Sequence, residues 1–505
     1  MNEPLSTQST KQRTLTWLSW ALMIFSPFLL MLLLSLILKE NTFAANPVWT
    51  DELDYWRTLF NWQHVGFSSG YSGLFEALPA SGTLGVHGFT VILLYGWFVK
   101  LFGLSLSTIV VCNLVWISLS AFVFCLIHKP KASIALFLTA LLTVYVPIIM
   151  YCTTSMTELF NYALLLFYLT FLLGYHQRHS LWFLLGCVAT VIFGCLYRIT
   201  YFLLFIPVAL VFSRFRFGWK MVLSALVALV LSVLCYLLTS ATTAPYIQGF
   251  LYHLVRADSL GTFVQMLLSH TKANLYEYFI RATQSPMEVA FRLLYCAAML
   301  LCLVGAFTSV QKTEKKLRLR FRFSGELLGC FLLLFTALGL IAMLYETNDW
   351  SDFRTLAPFL WLVLGYLAIR KQFFIPAAAL AASLASLVLL CTLPPMGAYA
   401  DETRYQPEPP KAAITQAAAL IPYDPAATNP LTNTIRIDIP GLQVIRELQP
   451  GLGLQYGWFT TETTGLSRWI LTDHLKCVVH GYEPVFAEDG VKLYRLIEPY
   501  EEAKP

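Results

Sequence analysis

Long apolar runs separated by short polar turns make up the greater part of the chain. The first run follows Lys11 and Arg13 and covers residues 15–38, enough to cross about 30 Å of hydrocarbon as a helix. It has no small-residue cleavage site, so we expect an uncleaved first helix with its N-terminus in the cytoplasm. Further runs predict spans at residues 104–127, 132–150, 158–175, 180–197, 199–213, 221–239, 287–309, 324–344, 355–369 and 373–394. The pattern predicts an all-α polytopic membrane bundle of about 11 transmembrane helices.

One apolar run, residues 89–99, is too short to be counted as a span. It contains Tyr95, Gly96 and Trp97, which favours an interfacial or re-entrant helix. If it does not span, the basic loops all face the cytoplasm, as the positive-inside rule requires. These loops contain Lys129, Arg178, Arg216, Lys316 and Lys371. The same topology places the loop at residues 39–103 and the C-terminus on the exoplasmic side.

The composition changes after residue 394, where prolines and alanines replace the apolar runs. We therefore divide the chain into a membrane module at residues 1–396, a linker at 397–410 and a tail at 411–505. The tail contains a helical stretch near residues 411–420. Short segments rich in β-branched or aromatic residues follow at 434–439, 469–472, 477–480 and 492–497. This order predicts a small C-terminal α+β domain outside the membrane.

The overall composition excludes an ordinary soluble enzyme, because 57% of the residues are hydrophobic and only 12% are charged. The formal net charge of +5 comes from basic residues in the short loops, where they act as topology signals. A nucleic-acid partner is therefore not implied, whereas membrane lipids are. Most of the 11 cysteines lie inside apolar runs and are interpreted as small core residues rather than a disulfide framework.

The loop after the first span carries three carboxylates, Asp51, Glu52 and Asp54, beside several tryptophans. One interpretation is that Thr50 caps a helix whose dipole the first two acids complement. The other is catalytic, because carboxylates at a bilayer edge are costly unless they bind something. Glu158, at the outer end of the predicted fourth helix, could cap that helix. It could also position a sugar hydroxyl, or share a divalent cation such as Mg²⁺ or Mn²⁺ with Asp51.

Three basic side chains are candidates for binding an anionic head group. Arg198 interrupts an apolar run, and Arg354 precedes the predicted tenth helix. A guanidinium group can donate two parallel hydrogen bonds to the oxygens of a phosphate. The alternative for both is snorkelling to ordinary phospholipid phosphates. His87, in a His-Gly segment before the short aromatic run, can donate to phosphate or can be a loop histidine without a role. The chain contains no Walker loop, Rossmann fingerprint, HExxH, CxxC or GxSxG sequence.

Together these motifs resemble the GT-C superfamily of membrane glycosyltransferases, and in particular lipid A aminoarabinose transferases and protein O-mannosyltransferases. The resemblance rests on the acidic pair, the His-Gly segment leading to Lys-Leu-Phe-Gly, the acid heading the fourth helix and the Arg-(x)3-Pro segment. Where those families often have Lys-Pro-Pro or His-Pro-Pro, this chain has His87-Gly88-Phe89.

The resemblance implies an inverting transferase in the bacterial plasma membrane, part of the cell-envelope machinery. It implies a polyprenyl-phosphate sugar donor at the outer face and a glycan, lipid or protein acceptor. By resemblance, Asp51 is the base or orients the acceptor, with Glu52 as its neighbour. Glu158 is the second acidic position, and Arg354 contacts the lipid phosphate.

Two other functions are compatible with the same residues. A transporter or flippase of lipid-linked sugars would also place arginines near head groups, but usually has ionisable residues near the midplane and repeated halves. Here the acids gather at one surface and no clear internal repeat is present. A non-catalytic scaffold that presents the tail is the third alternative. For the transferase, we predict that Asp51, Glu158 and Arg354 meet in one outward-opening cavity.

Overall fold

The structure is a computed structural model. It describes residues 9–66, 70–72, 79–81, 84–85, 87–216, 218–243, 250–281, 286–313, 316–345, 352–372, 374–392, 402–405, 410–427, 430–439, 441–456, 467–473 and 481–497. The segment expected as a strand at residues 477–480 lies outside this part of the chain. Residues 348–351, just before Arg354, also lie outside it.

The chain is mostly helical. Up to the middle of the bundle the helices are α1 (Thr10–Leu38), α2 (Thr50–Val65), α3 (Trp97–Phe102), α4 (Thr108–His128), α5 (Ala132–Thr143), α6 (Val146–Cys152), α7 (Glu158–Arg178), α8 (Leu181–Tyr197) and α9 (Phe205–Phe212). They are followed by α10 (Trp219–Ser240), α11 (Phe250–Val255), α12 (Leu260–Phe279), α13 (Pro286–Phe307), α14 (Gly325–Leu344), α15 (Ala357–Ile369) and α16 (Phe374–Thr392). The tail adds α17 (Lys411–Ala419) and α18 (Leu442–Glu447).

The expected count of about 11 spans is not confirmed. Among the described residues, six helices are long and apolar enough to cross a membrane: α1, α4, α7, α10, α13 and α14. The pair α5 and α6 makes a seventh if it is one bent span. The other predicted spans correspond to shorter apolar helices, which are Leu181–Tyr197, Ile199–Phe212, Phe353–Ile369 and Pro376–Ala385. The run at residues 89–99 also forms a short helical segment, Ile92–Phe102.

Helix α7 lies at the centre of the bundle and packs against α4, α8 and α15. Most of its side chains are buried, as expected for a helix that is apolar on every side. Its first residue is Glu158, whose negative charge suits the positive N-terminal end of the helix dipole. Its last turn ends at His179, which adopts the left-handed conformation. The helix therefore connects one end of the bundle to the other.

Two breaks in the helices place polar residues at the end of the bundle where α7 begins. Helices α5 and α6 meet at a bend of 53°, because Pro147 has no N–H with which to continue the hydrogen-bond ladder. A π-helical turn, Asp352–Leu356, precedes α15 and contains Arg354. Such turns are often found at functional sites.

The tail forms a five-stranded mixed sheet, with α17 and α18 beside it, so the α+β character predicted for the tail is observed. Its strands are β5 (Thr434–Asp438), β6 (Gly453–Tyr456), β7 (Trp469–Thr472), β8 (Tyr482–Glu488) and β9 (Val491–Leu496), in the order β6-β5-β7-β9-β8. Strand β5 is parallel to β6 and β7, and β9 is antiparallel to β7 and β8. Two short hairpins lie outside the tail, β1 (Gly70–Ser72) with β2 (Pro79–Ser81) and β3 (Thr308–Thr313) with β4 (Lys316–Phe321).

The tail packs directly on α2. The guanidinium of Arg57, only 2% exposed, donates to the carbonyls of Ile445 at 3.0 Å, Gln449 at 2.5 Å and Leu452 at 2.9 Å. Ile445 lies in the last turn of α18, where helix carbonyls lack partners within the helix, and Gln449 and Leu452 follow the helix. The side chains of the tail and of the bundle belong to one continuous hydrophobic core. The acidic end of α2 is thus held between the bundle and the tail.

Candidate functional site

A cluster of four charged side chains forms at the end of the bundle where α7 begins. Arg354 Nη2 lies 2.6 Å from Asp51 Oδ2, and Arg354 Nε lies 2.7 Å from Glu158 Oε1. Arg198 Nη2 lies 3.0 Å from the same Glu158 oxygen, and its Nη1 donates to the backbone carbonyl of Arg354 at 2.5 Å. The structure therefore brings together two acids and two arginines from four separate segments, which we call the ion-pair cluster.

Local backbone geometry explains how each arginine reaches the cluster. Helix α8 ends at Tyr197, and Arg198 is extended (φ −149°, ψ 113°) before a short 3-10 helix, Ile199–Leu204. Gly194 allows this sharp exit, since a Cβ there would lie 3.0 Å from the side chain of Tyr201. Arg354 projects from the π-helical turn that precedes α15.

The cluster is buried on one side and accessible on the other. The side chain of Glu158 is 1% exposed, whereas those of Asp51 and Arg354 are 16% and 26% exposed. Glu158 Oε2 has no hydrogen-bond partner among the described residues, and the only hydrogen bond of the Asp51 carboxylate there is through Oδ2. Asp51 Oδ1 and Arg354 thus form the edge at which a substrate could enter.

Glu52 lies next to Asp51 in sequence but outside the ion-pair cluster. Its carboxylate is fully buried and accepts hydrogen bonds from the backbone N–H groups of Trp49 at 3.0 Å and Ser155 at 2.7 Å. Arg404, also fully buried, lies 2.9 Å from Glu52 Oε2. Glu52 therefore joins the start of α2, the turn before α7 and the segment Glu402–Tyr405. This set of contacts is structural, and we assign Glu52 no contact with the ion-pair cluster.

His87 lies beside the ion-pair cluster, between two tyrosines. Its ring centroid is 5.6 Å from that of Tyr55 and 5.2 Å from that of Tyr197. Burial, assisted by the positive charge of Arg198, lowers the pKa of His87 to about 4. The imidazole is therefore neutral near pH 7, and can donate or accept one hydrogen bond but brings no positive charge for a phosphate.

The two glycines that flank His87 hold its turn in place. Gly85 and Gly88 have φ values of +79° and +55°, a backbone conformation that residues other than glycine rarely adopt. A Cβ on Gly85 would also lie 2.3 Å from Asp54 Oδ2. Asp54, the third carboxylate of the acidic loop, is therefore buried against this turn rather than in the ion-pair cluster.

The sequence analysis did not identify the tyrosines around the ion-pair cluster. Tyr55 and Tyr151 are fully buried, and neither hydroxyl has a hydrogen-bond partner among the described residues. Burial, with the charges of Asp51 and Glu158, raises the pKa of Tyr55, so its hydroxyl remains a donor at physiological pH. One signal was available, because Tyr55 follows Asp51 by four positions and so falls on the same face of α2.

The residues present do not fit the divalent cation considered for Asp51 and Glu158. The guanidinium of Arg354 bridges these two carboxylates and occupies the position that a metal ion would need. Across the described part of the chain, no group of three His, Cys, Asp or Glu side chains is arranged to hold a metal ion. The positive charge between the two acids is supplied by the protein itself.

No protein-family model and no curated protein matches the sequence. Among solved structures, the chain is similar to the oligosaccharyltransferase of Archaeoglobus fulgidus in its apo form, with 13% identity and a TM-score of 0.47. That match covers 88% of this chain but only 65% of the oligosaccharyltransferase. The chain is also similar to ArnT from Cupriavidus metallidurans in its apo state, with 12% identity, a TM-score of 0.37 and coverage of 92% and 97% of the two chains.

The resemblance to GT-C membrane glycosyltransferases that the motifs indicate stays a prediction from the sequence. The chemistry of the site therefore rests on the residues of this chain.

Proposed function

We propose that this chain is an integral-membrane glycosyltransferase that moves a sugar from a polyprenyl-phosphate donor to a hydroxyl acceptor at the exoplasmic face. The observation that carries the proposal is the ion-pair cluster, in which a carboxylate with an accessible edge lies 2.6 Å from a guanidinium. Glycosyl transfer from a lipid phosphate needs a base for the acceptor and positive charge for the departing phosphate. Both groups are present here, at one end of an apolar bundle.

The reaction follows from this arrangement. The acceptor oxygen attacks the anomeric carbon while Asp51 accepts the hydroxyl proton, and the bond between that carbon and the phosphate oxygen breaks. The polyprenyl phosphate leaves as an anion, which Arg354 and Arg198 stabilise with paired hydrogen bonds. A single displacement of this kind inverts the configuration at the anomeric carbon.

The contacts of Arg354 provide a reason for donor and acceptor to bind in order. In the structure, Arg354 Nη2 is bound to Asp51, while Nε is bound to the deeply buried Glu158. A donor phosphate would compete with Asp51 for Nη2, while the Nε contact would hold the arginine in position. Donor binding would thus release Asp51 Oδ2 from its ion pair, so that both oxygens of the carboxylate are free for the acceptor.

The test is incubation of the purified protein with a panel of radiolabelled polyprenyl-phosphate sugars and candidate acceptors. We expect labelled product from the wild-type protein and from Glu488→Gln, a variant of an exposed acid in the tail. Movement of the intact labelled donor across liposome membranes, without bond cleavage, would instead identify a transporter. Absence of both transfer and donor binding in folded protein would contradict the proposal.

A further inference from the structure

A second polar site lies at the end of the bundle opposite the ion-pair cluster. Helix α7 begins at Glu158 and carries His176 in its last turn. These residues are 18 positions apart, or about 27 Å at 1.5 Å per residue, close to the thickness of a bilayer's hydrocarbon core. Groups around His176 therefore face the other membrane surface.

A cavity of about 850 Å³ opens at this end, between α7, α13, α14 and residues 370–372 after α15. This volume lies in the range of cavities that hold small organic ligands. Its polar lining includes His176, Arg322, Glu326 and Arg370. Glu326 lies 3.1 Å from His176 Nε2 and 2.9 Å from Arg370 Nη2.

The charge of the cavity favours an anion. Among the described residues, two guanidinium groups and one carboxylate line it, and this carboxylate is already paired with Arg370. The guanidinium of Arg322 makes no ion pair within the described part of the chain, and the side chain of Arg370 remains 46% exposed. Two arginines with unused donors match the oxygens of a phosphate group.

The rest of the lining favours an amphiphile over a free phosphate. An apolar crevice adjoins the cavity through His176, Phe215 and Glu326, and continues between Leu172, Leu210 and Leu333. At the mouth, Phe323 and Phe374 are 58% and 80% exposed, as expected for side chains that contact lipid. A charged head group and an aliphatic chain would each find a matching surface.

We propose that this cavity binds one anionic phospholipid from the leaflet opposite the ion-pair cluster. Arg322 and Arg370 hold its phosphate, and the crevice takes part of one acyl chain. The site does not depend on the transfer reaction. Anionic lipids are attracted to basic segments at a membrane surface, so the occupant is available where the cavity opens.

Native mass spectrometry of the full-length protein in detergent, with phosphatidylglycerol or phosphatidylcholine added, tests the proposal. We expect one tightly retained phosphatidylglycerol per chain and weaker retention of phosphatidylcholine. Arg322→Gln together with Arg370→Gln should weaken retention of phosphatidylglycerol about tenfold or more, the loss expected when charge-assisted hydrogen bonds are removed. Lys131→Gln changes an exposed basic residue at the α4–α5 turn of the same surface and should leave retention unchanged.

A second variant separates loss of binding from loss of folding. Arg322→Gln alone breaks no ion pair among the described residues, so it should fold normally and still weaken phosphatidylglycerol retention. Equal retention of the two lipids by the wild-type protein would overturn the proposal, as would unchanged retention in both arginine variants. Displacement of the lipid by millimolar glycerol phosphate would show a site for a soluble phosphate ester and would also overturn it.

Discussion

At the scale of single residues, Asp51 is the group whose loss should affect chemistry most specifically. We expect Asp51→Asn to lower the rate of transfer by about a hundredfold to ten-thousandfold, as loss of a general base typically does. Donor binding should remain, because Arg354 keeps its contact with Glu158. Transfer rates and donor affinity of the purified variant check this, with Glu447→Gln, an acid of the tail, as the control. Equal loss of donor binding and of rate would mean that Asp51 holds the donor instead.

Replacement of Arg354 should have a different effect, because the donor phosphate that it binds is charged both before and during the reaction. We expect Arg354→Lys to raise the KM for the donor more than it lowers kcat, since an ammonium cannot bridge two carboxylates and a phosphate as a guanidinium does. Steady-state kinetics over a range of donor concentrations measure the two effects. A fall in kcat at unchanged KM would mean that Arg354 stabilises only the transition state and does not contribute to donor binding.

His87 provides a pH-dependent measurement that is independent of turnover. Its pKa is about 4 in the folded protein and about 6.5 when unfolded, so the unfolded chain binds more protons between these values. The folded state should therefore lose stability as the pH falls from 6.5 to 4, and little more below that. We expect His87→Asn to make the melting temperature less dependent on pH in this window.

Some residues of the site could be predicted from the sequence and others could not, depending on what determines the position of each side chain. Asp51, Glu158, Arg198 and Arg354 are charged residues at the ends of apolar segments, a costly position that the sequence alone identifies. Glu52 could not be separated from Asp51 in this way, because adjacent residues of a helix point in directions about 100° apart. Only the three-dimensional structure shows that the side chain of Glu52 points toward Arg404. The tyrosines were missed because they are ordinary core residues by composition.

At the scale of elements, some predicted apolar runs match single helices within a few residues, whereas the run at 132–150 is divided between α5 and α6. Helices α4 and α10 cover Thr108–His128 and Trp219–Ser240, where spans were predicted at 104–127 and 221–239. This agreement follows from the hydrocarbon thickness, which fixes how long an apolar run must be. The bend at Pro147 and the π-helical turn at Arg354 depend on packing, so hydrophobicity alone could not predict them.

The contact between Glu52 and Arg404 is the element-scale feature that is easiest to test. Both side chains are fully buried, and removing one partner of such a pair typically costs about 3–5 kcal/mol because the other charge is left buried. We expect Arg404→Gln and Glu52→Gln each to lower the free energy of unfolding by such an amount. The double variant should lose less than the sum, and denaturant unfolding of all four proteins measures this coupling.

A matched control for that pair is Lys411 with Glu447, which are 3.4 Å apart and where the lysine is 71% exposed. We expect Lys411→Gln to cost at most about 1 kcal/mol, as is usual for exposed ion pairs. Strictly additive effects of the Glu52 and Arg404 variants would show that the two side chains do not stabilise each other.

At the scale of the whole molecule, the two ends of the bundle should face opposite sides of the membrane. We expect Glu40→Cys, near the acidic loop, to react with a membrane-impermeant maleimide added outside intact cells. Lys131→Cys, at the α4–α5 turn, should react only after permeabilisation. Both parent residues are exposed, and most of the native cysteines described are buried, so the background should be low. Labelling of Lys131→Cys in intact cells would show that the bundle has the opposite orientation in the membrane.

The contact between Glu52 and Arg404 also has a consequence for how the protein is made. The two residues are 352 positions apart, so at about 5–20 residues per second a ribosome needs about 18–70 s to synthesise the chain between them. During that time the nascent bundle enters the membrane while Glu52 lacks Arg404 and Arg57 lacks its carbonyl partners in the tail. The acidic end of α2 therefore reaches its final position only after residues 404–452 have been synthesised, and a chain interrupted before them would have uncompensated charges, a feature of unfolded protein that proteases remove.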